Sequence, residues 1–393
     1  MIIKPRVRAF MCVTAHPTGC SKEMDKQIAY IKSKGAIEAG PKNVLIIGAS
    51  TGYGLSTRIT AAFGCKSSTL GVFFERPAEN GKTASPGWYN TAALQKAARE
   101  EGLYAESING DAFSNEIKDQ VIAKIQADLG KIDLVIYSLA SPRRVDPNTG
   151  EVFRATLKPT DKVFSSMTLD TDKKRIENIT LPCANEDELN GTIKVMGGED
   201  WALWIDRLLA EGVLSEGARS IAYSYIGPKV TWPIYRNGTI GTAKKHLETT
   251  GRTLNEKMAT IGGTAHVAVC KAVVTQASSA IPVVPLYMSI LFKVMKKKGV
   301  NEGCIEQIHR LFVEKVYSGK GLVLDDDQRL RVDDFEMRED IQTEINEIWP
   351  TLTNDNFHQI ADFDGYQKEF MSLFGFGIDG VDYTQDVNEE VSL

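Results

Sequence analysis

The sequence predicts an α/β fold: a doubly wound parallel sheet with helices on both faces, joined to an inserted portion and a C-terminal, mainly helical portion. Three observations carry this. Short apolar runs alternate with helical patterns between residues 43 and 140, the rhythm of a parallel sheet with helical crossovers. The first run passes straight into GASTGYG, residues 48–54, and then into a helical pattern. The second ends beside an acidic residue, Glu75, 21 positions beyond Gly54. Together these are the parts of a dinucleotide-binding βαβ unit, which makes the sheet Rossmann-type.

The elements follow in order. NVLII (43–47) is apolar at four of five positions and stops at glycine, as a buried strand does. A helix is expected from about Tyr53 to Phe63, a strand over TLGVFF (69–74), a helix from about Trp88 to Glu101 and a third strand over LYAESI (103–108). FSNEIKDQVIAKIQADLG (113–130) is amphipathic and closed by glycine, and IDLVIYSLA (132–140) is the fourth strand. Residues 141–198 break the rhythm. They are polar, with alternating stretches such as EVFRATLKP and GTIKVMG, and read as an insertion with short strands. A helix (201–212), a strand (220–227), a helix near 240–261 and a strand (266–274) then resume the pattern. In the 240–261 helix Ile240, Ala243, Leu247, Leu254, Met258 and Ile261 make one apolar stripe. The remainder is mainly helical and ends in a glycine- and aspartate-rich tail. The expected organisation is one large unit over 1–393. Its cofactor-binding core is 43–140 and 199–280, with the insertion at 141–198 and a helical substrate-binding portion at 281–393.

Bulk properties remove several classes. The chain has 393 residues, 42% hydrophobic and 25% charged, a soluble globular mixture. A net charge of −5 opposes general nucleic-acid binding, which needs a basic face. Six scattered cysteines suggest reduced thiols and a cytoplasmic protein. Cys12, His16 and Cys20 lack the fourth ligand that zinc requires, so no metal is expected. Lys4, Arg6 and Arg8 interrupt the apolar runs of the N-terminus before a signal sequence can form. No stretch reaches the roughly 20 apolar residues of a membrane span.

Gly48, Gly52 and Gly54 allow a tight turn and close backbone approach to a pyrophosphate, and the following helix offers free N–H groups and the positive end of its dipole. Glu75 is placed to accept hydrogen bonds from the adenosine ribose and to repel a 2′-phosphate, which favours NADH, although Arg76 beside it suits NADPH. Asp111-Ala112 and Leu139-Ala140 follow the third and fourth strands, where the adenine and nicotinamide ends of a dinucleotide lie.

Many reductases of this fold pair a tyrosine with a lysine four residues on, which sets both on one helix face. Tyr30 and Lys34 have that spacing but precede the glycine turn. Tyr225 and Lys229 have it too, but Gly227 and Pro228 would break the helix between them. Tyr235 and Lys244 stand nine apart, which on one straight helix means about 13 Å of rise and opposite faces. Pro233, Gly238 and Gly241 instead suggest that Tyr235 lies on a loop folded back over the start of the helix bearing Lys244.

Taken with MIIKPRVR, TAHPTGC, GASTGYGLS, GVFFERP, SINGDAFS, YSLASP, VMGGEDW, VVTQASSAIP and FGFGIDGVDY, the Y-x8-K pair makes the chain closely resemble the FabV-type trans-2-enoyl reductases over nearly its full length. The resemblance implies NADH-dependent reduction of enoyl-ACP or enoyl-CoA thioesters by a monomer, with a helical substrate portion over the sheet. It implies Tyr235 as proton donor, Lys244 as a cofactor-binding and catalytic residue with Lys245 assisting, and Tyr225 against the thioester. It also implies that Gly48, Ala49, Ser50, Thr51, Gly52, Tyr53, Phe74, Glu75, Asp111, Ala112, Leu139, Ala140, Val273, Val274 and Thr275 hold the cofactor. A nearby Lys244 ammonium is expected to lower the Tyr235 pKa. Lysines in KVMKKKG (293–299) suit either an anionic substrate group or a plain solvated helix end, and ASSAIPVVPLYM (277–288) suits an acyl channel. Two rival readings are a carbonyl reductase of the same fold, which the missing Y-x-x-x-K helix opposes, and a non-catalytic NADH sensor, which the Tyr235/Lys244 pair opposes.

Overall fold

The computed structural model describes residues 1–8, 11–139 and 141–393. At its centre is a parallel sheet of seven strands: β1 (Asn43–Ile47), β2 (Ser68–Phe73), β3 (Ala105–Asn109), β4 (Ile132–Tyr137), β5 (Leu214–Ser224), β6 (Thr264–Val269) and β7 (Leu330–Arg331). Their spatial order is β7-β6-β5-β4-β1-β2-β3. The order reverses between β1 and β4, and in such sheets a crevice opens at that point beyond the strands' carboxyl ends.

Strands covered on both faces need apolar residues at successive positions. Val44, Leu45, Ile46 and Ile47 are all at 0% exposure. Leu45 and Ile47 pack with α4 (Asn115–Lys124), α6 (Glu199–Ala210) and α7 (Thr239–Met258), whereas Val44 and Ile46 pack with Ile308, Leu311 and Phe312 on the other face. α1 (Pro17–Ser33), α2 (Gly52–Ile59) and α3 (Pro86–Glu100) share an apolar cluster through Met24, Ile28, Leu55, Ile59, Leu94 and Ala98. The stripe expected on α7 is buried at Ile240, Ala243, Leu247, Leu254 and Met258, with Ile261 only partly covered.

The insertion holds two hairpins, Arg143–Val145 with Val152–Arg154 and Phe164–Asp170 with Arg175–Leu181. Its last part differs from expectation. GTIKVMG lies in a helix, α5 (Glu186–Met196), not in a strand. Asn185 Oδ1 accepts from Glu188 N at 2.8 Å while Glu188 Oε2 accepts from Asn185 N at 3.1 Å. That capping box starts the helix, and short alternation along GTIKVMG hid it. The C-terminal portion is helical, with α8 (Val284–Lys297), α9 (Glu339–Ile348) and α10 (Phe363–Ser372), yet it also adds β7 to the sheet edge. Three of the four lysines of KVMKKKG are occupied: Lys296 pairs with Asp362, Lys297 with Glu344, and Lys298 with Asp340 and Glu344, while Lys293 is exposed. They form a solvated helix end tied to acidic neighbours, not an open anion site.

One buried ion pair braces the sheet's carboxyl edge. Lys118 Nζ lies 2.8 Å from Asp200 Oδ1, with the two side chains 1% and 2% exposed. The same ammonium donates to the carbonyls of Ala112 and Phe113, Tyr137 donates to Asp200 Oδ2, and Trp204 Nε1 donates to the Ala112 carbonyl. Every partner of this charge pair is thus supplied by the protein. Removing one member strands the other. Lys118→Met is expected to lower the unfolding free energy in urea by about 3–5 kcal/mol, and Lys118→Met/Asp200→Leu to recover part of that loss.

Candidate active site

The glycine turn leaves β1 at the reversal of strand order. Gly48 has φ 90° and Gly52 φ 55°, conformations that glycine adopts without strain. A Cβ on Gly48 would strike the Ser138 carbonyl, with Leu139 Cδ2 next to it, and one on Gly54 would strike the Gly48 carbonyl. Thr51 is the N-cap of α2 but makes no side-chain cap bond, which leaves the first-turn N–H groups without that acceptor. Close backbone approach and free helix N–H groups fit a dinucleotide pyrophosphate. Beside the turn, Ser50 Oγ donates to Glu75 Oε1 at 2.7 Å, and Asn109 bonds both the N–H and the carbonyl of Glu75 at 2.8 and 2.9 Å. Gly87, at the start of α3, lies so near Glu75 that a Cβ would collide with the carboxylate. Glu75 is therefore held rigidly as an acceptor, while Arg76 is exposed.

The structure gathers most of the expected wall residues here. Thr275 Cγ2 lies 3.6 Å from where a Gly52 Cβ would be. Val273 and Val274 are buried beside it. Asp111 Oδ1 accepts from Phe113 N at 3.0 Å, and Ala112 is fixed through its carbonyl by Lys118 and Trp204. Phe74 stands 78% exposed at the lip of the crevice. Tyr53 is different: its hydroxyl donates to the Lys271 carbonyl at 2.7 Å, with Gln307 Oε1 3.1 Å away, so its ring braces the segment leading to Val273. Ala140 lies outside the described residues.

Tyr235 sits on the loop expected for it. The loop folds tightly over the start of α7, where a Cβ on Gly241 would strike the carbonyls of Tyr235 and Arg236. The Tyr235 side chain is buried, and among the described residues its hydroxyl makes no hydrogen bond. Its ring meets Tyr225 edge-on, centroids 4.9 Å apart at 79°. Burial pushes the Tyr235 pKa up, and Glu336 adds to the rise. This reverses the expected lowering by Lys244, because desolvation outweighs any cation nearby. Lys244 Nζ, one helical turn into α7, makes one long bond, 3.5 Å to the Tyr223 carbonyl. Burial lowers its pKa to about 8, against the opposing pull of Cys270 and Glu248. Close by, the buried Ser224 hydroxyl at the end of β5 has no partner among the described residues. A cation with spare donors and an orphaned hydroxyl fit the sugar end of a dinucleotide. Lys245 is exposed on the outer face of α7.

Sequence spacing missed Glu336. It is fully buried and accepts from Tyr225, Tyr287 and Ala272 N. No local motif marks it, since its partners lie 49–111 residues away in sequence. Neither Y-x-x-x-K candidate forms a tyrosine–lysine pair at the site. The Lys34 ammonium lies over the Tyr30 ring at the surface, and Gly227 at φ 72° turns the chain between Tyr225 and exposed Lys229. His16 caps α1 through Nδ1, and the described residues contain no metal-holding cluster.

Comparison with known proteins matches three family descriptions: "Trans-2-enoyl-CoA reductase catalytic region" over residues 82–317, "NAD(P)H binding domain of trans-2-enoyl-CoA reductase" over 2–80 and "Enoyl reductase FAD binding domain" over 324–387. The enoyl-[acyl-carrier-protein] reductase [NADH] of Flavobacterium johnsoniae is 56% identical over 100% of this chain and 99% of its own. The corresponding protein of Aeromonas salmonicida, whose name adds FabV, is 54% identical over 100% and 99%. The crystal structure of Treponema denticola trans-2-enoyl-CoA reductase in complex with NAD superposes with a TM-score of 0.95 at 46% identity, covering 99% of this chain and 98% of that one. The FAD description does not fit residues 324–387. Phe357, Phe363, Tyr366, Phe370 and Phe374 fill the space against α8, the first turn of α9 carries Glu339 and Asp340, and Gly375 is pressed against His16 and Cys20. Nothing there cradles a pyrophosphate, and no chemistry is assigned to a flavin.

The fixed Glu75 carboxylate makes a testable specificity element. Glu75→Gln is expected to raise kcat/KM with NADPH relative to NADH by about tenfold, the worth of one removed charge repulsion near 1.4 kcal/mol. Parallel steady-state assays with both cofactors read the ratio directly.

Proposed function

The chain belongs to the trans-2-enoyl-CoA reductase family, and from that membership and the site's geometry we propose that it reduces the C2=C3 bond of trans-2-enoyl thioesters of acyl carrier protein or CoA with NADH, in fatty acid biosynthesis. One observation carries the reading: a buried tyrosine with an unengaged hydroxyl lies over the start of the helix that brings Lys244 to the carboxyl edge of the cofactor sheet.

NADH, when bound, supplies the hydride that goes to C3. The glycine turn from Gly48 to Gly54 holds the pyrophosphate, Glu75 takes the adenosine ribose hydroxyls, Asp111 and Ala112 flank the adenine, and Leu139 with Val273 to Thr275 wall the nicotinamide end. Lys244 and the Ser224 hydroxyl meet the nearby ribose. Hydride addition to C3 builds negative charge on the thioester oxygen, and an aligned hydroxyl donor stabilises that charge. Tyr235 is that donor. A phenol is protonated at neutral pH even at its ordinary pKa near 10, and burial pushes this one further up, so the group enters the reaction as a neutral donor. Tyr225 faces the same space and positions the thioester. The segment from Ala277 to Met288 lines the acyl side, where Val284, Leu286 and Met288 are buried in one cluster with Tyr235. In this reading the protein is a cytoplasmic monomer, consistent with six free thiols.

Two measurements test it. With a trans-2-enoyl-CoA and NADH, absorbance at 340 nm should fall with wild type. Tyr235→Phe should lower kcat by about 10²-fold or more, the usual worth of a positioned acid, while NADH still binds. A wild type inert toward every enoyl thioester sinks the reading; a Tyr235→Phe enzyme at full rate moves the acid role to Tyr225. The second test is pH. The Lys244 ammonium has a pKa of about 8, so the charged form is lost as pH rises through that value. kcat/KM is expected to decline above about pH 8, and Lys244→Arg, charged throughout the range, should remove that alkaline limb from whatever activity it retains.

A further inference from the structure

The polar groups of the site converge on a residue outside the cofactor cradle. Glu336 lies between β7 and α9 at 0% exposure. Its Oε1 accepts from the hydroxyls of Tyr225 at 2.9 Å and Tyr287 at 2.6 Å, and its Oε2 accepts from Ala272 N at 2.7 Å. Gln342 Nε2 donates to the Glu336 carbonyl at 2.7 Å and to the Tyr287 hydroxyl at 3.3 Å, closing the network from below. Three donors on one carboxylate are what a buried charge requires.

Two geometric consequences follow. Tyr225 has a single O–H proton, and it is directed at Glu336. Toward the crevice Tyr225 then offers lone pairs and a ring edge, but no donor. Its ring also abuts Tyr235 edge-on at 4.9 Å, so the orientation of one tyrosine limits the other. Through Ala272 the same carboxylate pins the residue just before the wall formed by Val273 to Thr275. One acidic side chain thereby ties the substrate tyrosine and the cofactor wall to a common point.

We propose that Glu336 is a positioning residue of the reductase: it holds the Tyr225 hydroxyl turned away from the reacting oxygen, leaving Tyr235 as the one tyrosine that donates there, and fixes the 272–275 wall to the same carboxylate. The role of the clamp rests on the enoyl-reductase reading; its existence does not.

Glu336→Gln keeps the shape but puts an amide donor where an acceptor stood, so a hydroxyl or Ala272 N–H loses its partner. kcat with enoyl-CoA should fall about tenfold or more, while the Kd for NADH, read by fluorescence, should move by less than about threefold. Adding Tyr225→Phe to Glu336→Gln should cost less than about threefold further, since both changes break the same link. An unchanged kcat, or fully additive losses, overturns the proposal. A second observable needs neither turnover nor a variant of Glu336. In the wild-type NMR spectrum the clamp predicts a downfield, slowly exchanging hydroxyl proton that disappears in Tyr225→Phe. Its absence overturns the clamp. If that resonance is present but wild type reduces no enoyl thioester, the clamp stands and the functional reading is what fails.

Discussion

Everything at this site depends on how closely β1 and β4 pass as they diverge. Gly48 N donates to the Val72 carbonyl at 2.8 Å, and Ser138 N donates to the Ile47 carbonyl at 2.8 Å, so β2, β1 and β4 are still bonded at their last residues. Beyond them the strands connect to opposite sides of the sheet. The Gly48 backbone lies so close to the Ser138 carbonyl that a side chain cannot be inserted. That contact aims the N-terminus of α2 into the crevice and places Leu139 on its wall. A bulkier turn would move α2 away from the sheet, and the free N–H groups would no longer face the space that Glu75 and Thr275 enclose.

Burial then sets the protonation of the two groups at the reacting end, in opposite senses. Desolvation disfavours charge on either kind of group. For Tyr235 this raises the pKa and preserves a neutral donor; for Lys244 it lowers the pKa to about 8 and leaves the ammonium mostly charged at neutral pH. A strongly coupled tyrosinate–lysine pair would have the reverse character, a phenolate stabilised by its cation. Glu336 adds negative charge on the tyrosine side, which deepens the difference. The rise makes Tyr235 a weaker acid in itself, so what the enclosed site supplies is a neutral O–H donor fixed where charge develops on the substrate.

Much of this was legible in the amino-acid order, for identifiable reasons. β1, β2 and β4 were plain because burial on both faces demands apolar runs such as NVLII, whereas the edge strand β3 is only partly covered and carries no such run; the glycine turn was plain because steric exclusion at Gly48 and Gly54 leaves a residue-level mark. The Tyr235 loop was legible through Pro233, Gly238 and Gly241, since those residues rule out one straight helix. Other features leave no local mark. The seven-residue alternation of GTIKVMG is compatible with a strand or with α5, and only the Asn185–Glu188 box distinguishes them. The two-residue β7 is too short for any period to appear. The sign of the Tyr235 shift depends on how much protein surrounds the ring, which nearest neighbours in sequence do not report. Glu336 is one glutamate among many until the fold brings Tyr225, Tyr287 and Ala272 to it.

The two buried networks show how distant segments are made to agree about one crevice. Lys118, Asp200 and Tyr137 join α4, α6 and the end of β4 beneath the Asp111–Ala112 turn. Glu336, Tyr225, Tyr287 and Ala272 join the C-terminal portion, β5, α8 and the end of β6 beneath the tyrosines. Apolar side chains of similar size could fill either space, often at no loss of stability. What they could not supply is direction. An apolar contact tolerates rotation and sliding, whereas a carboxylate with three donors is satisfied in one arrangement, and leaving a donor unpaired there costs about 1–3 kcal/mol. Charge is buried under residues whose orientation matters, and Arg58, at 0% exposure, likewise ties β2 to β3 through Thr69, Ser107 and the Glu106 carbonyl. That distribution fits a fold that spends its polar specificity where a wall or a hydroxyl has to point one way, and leaves the rest to close packing.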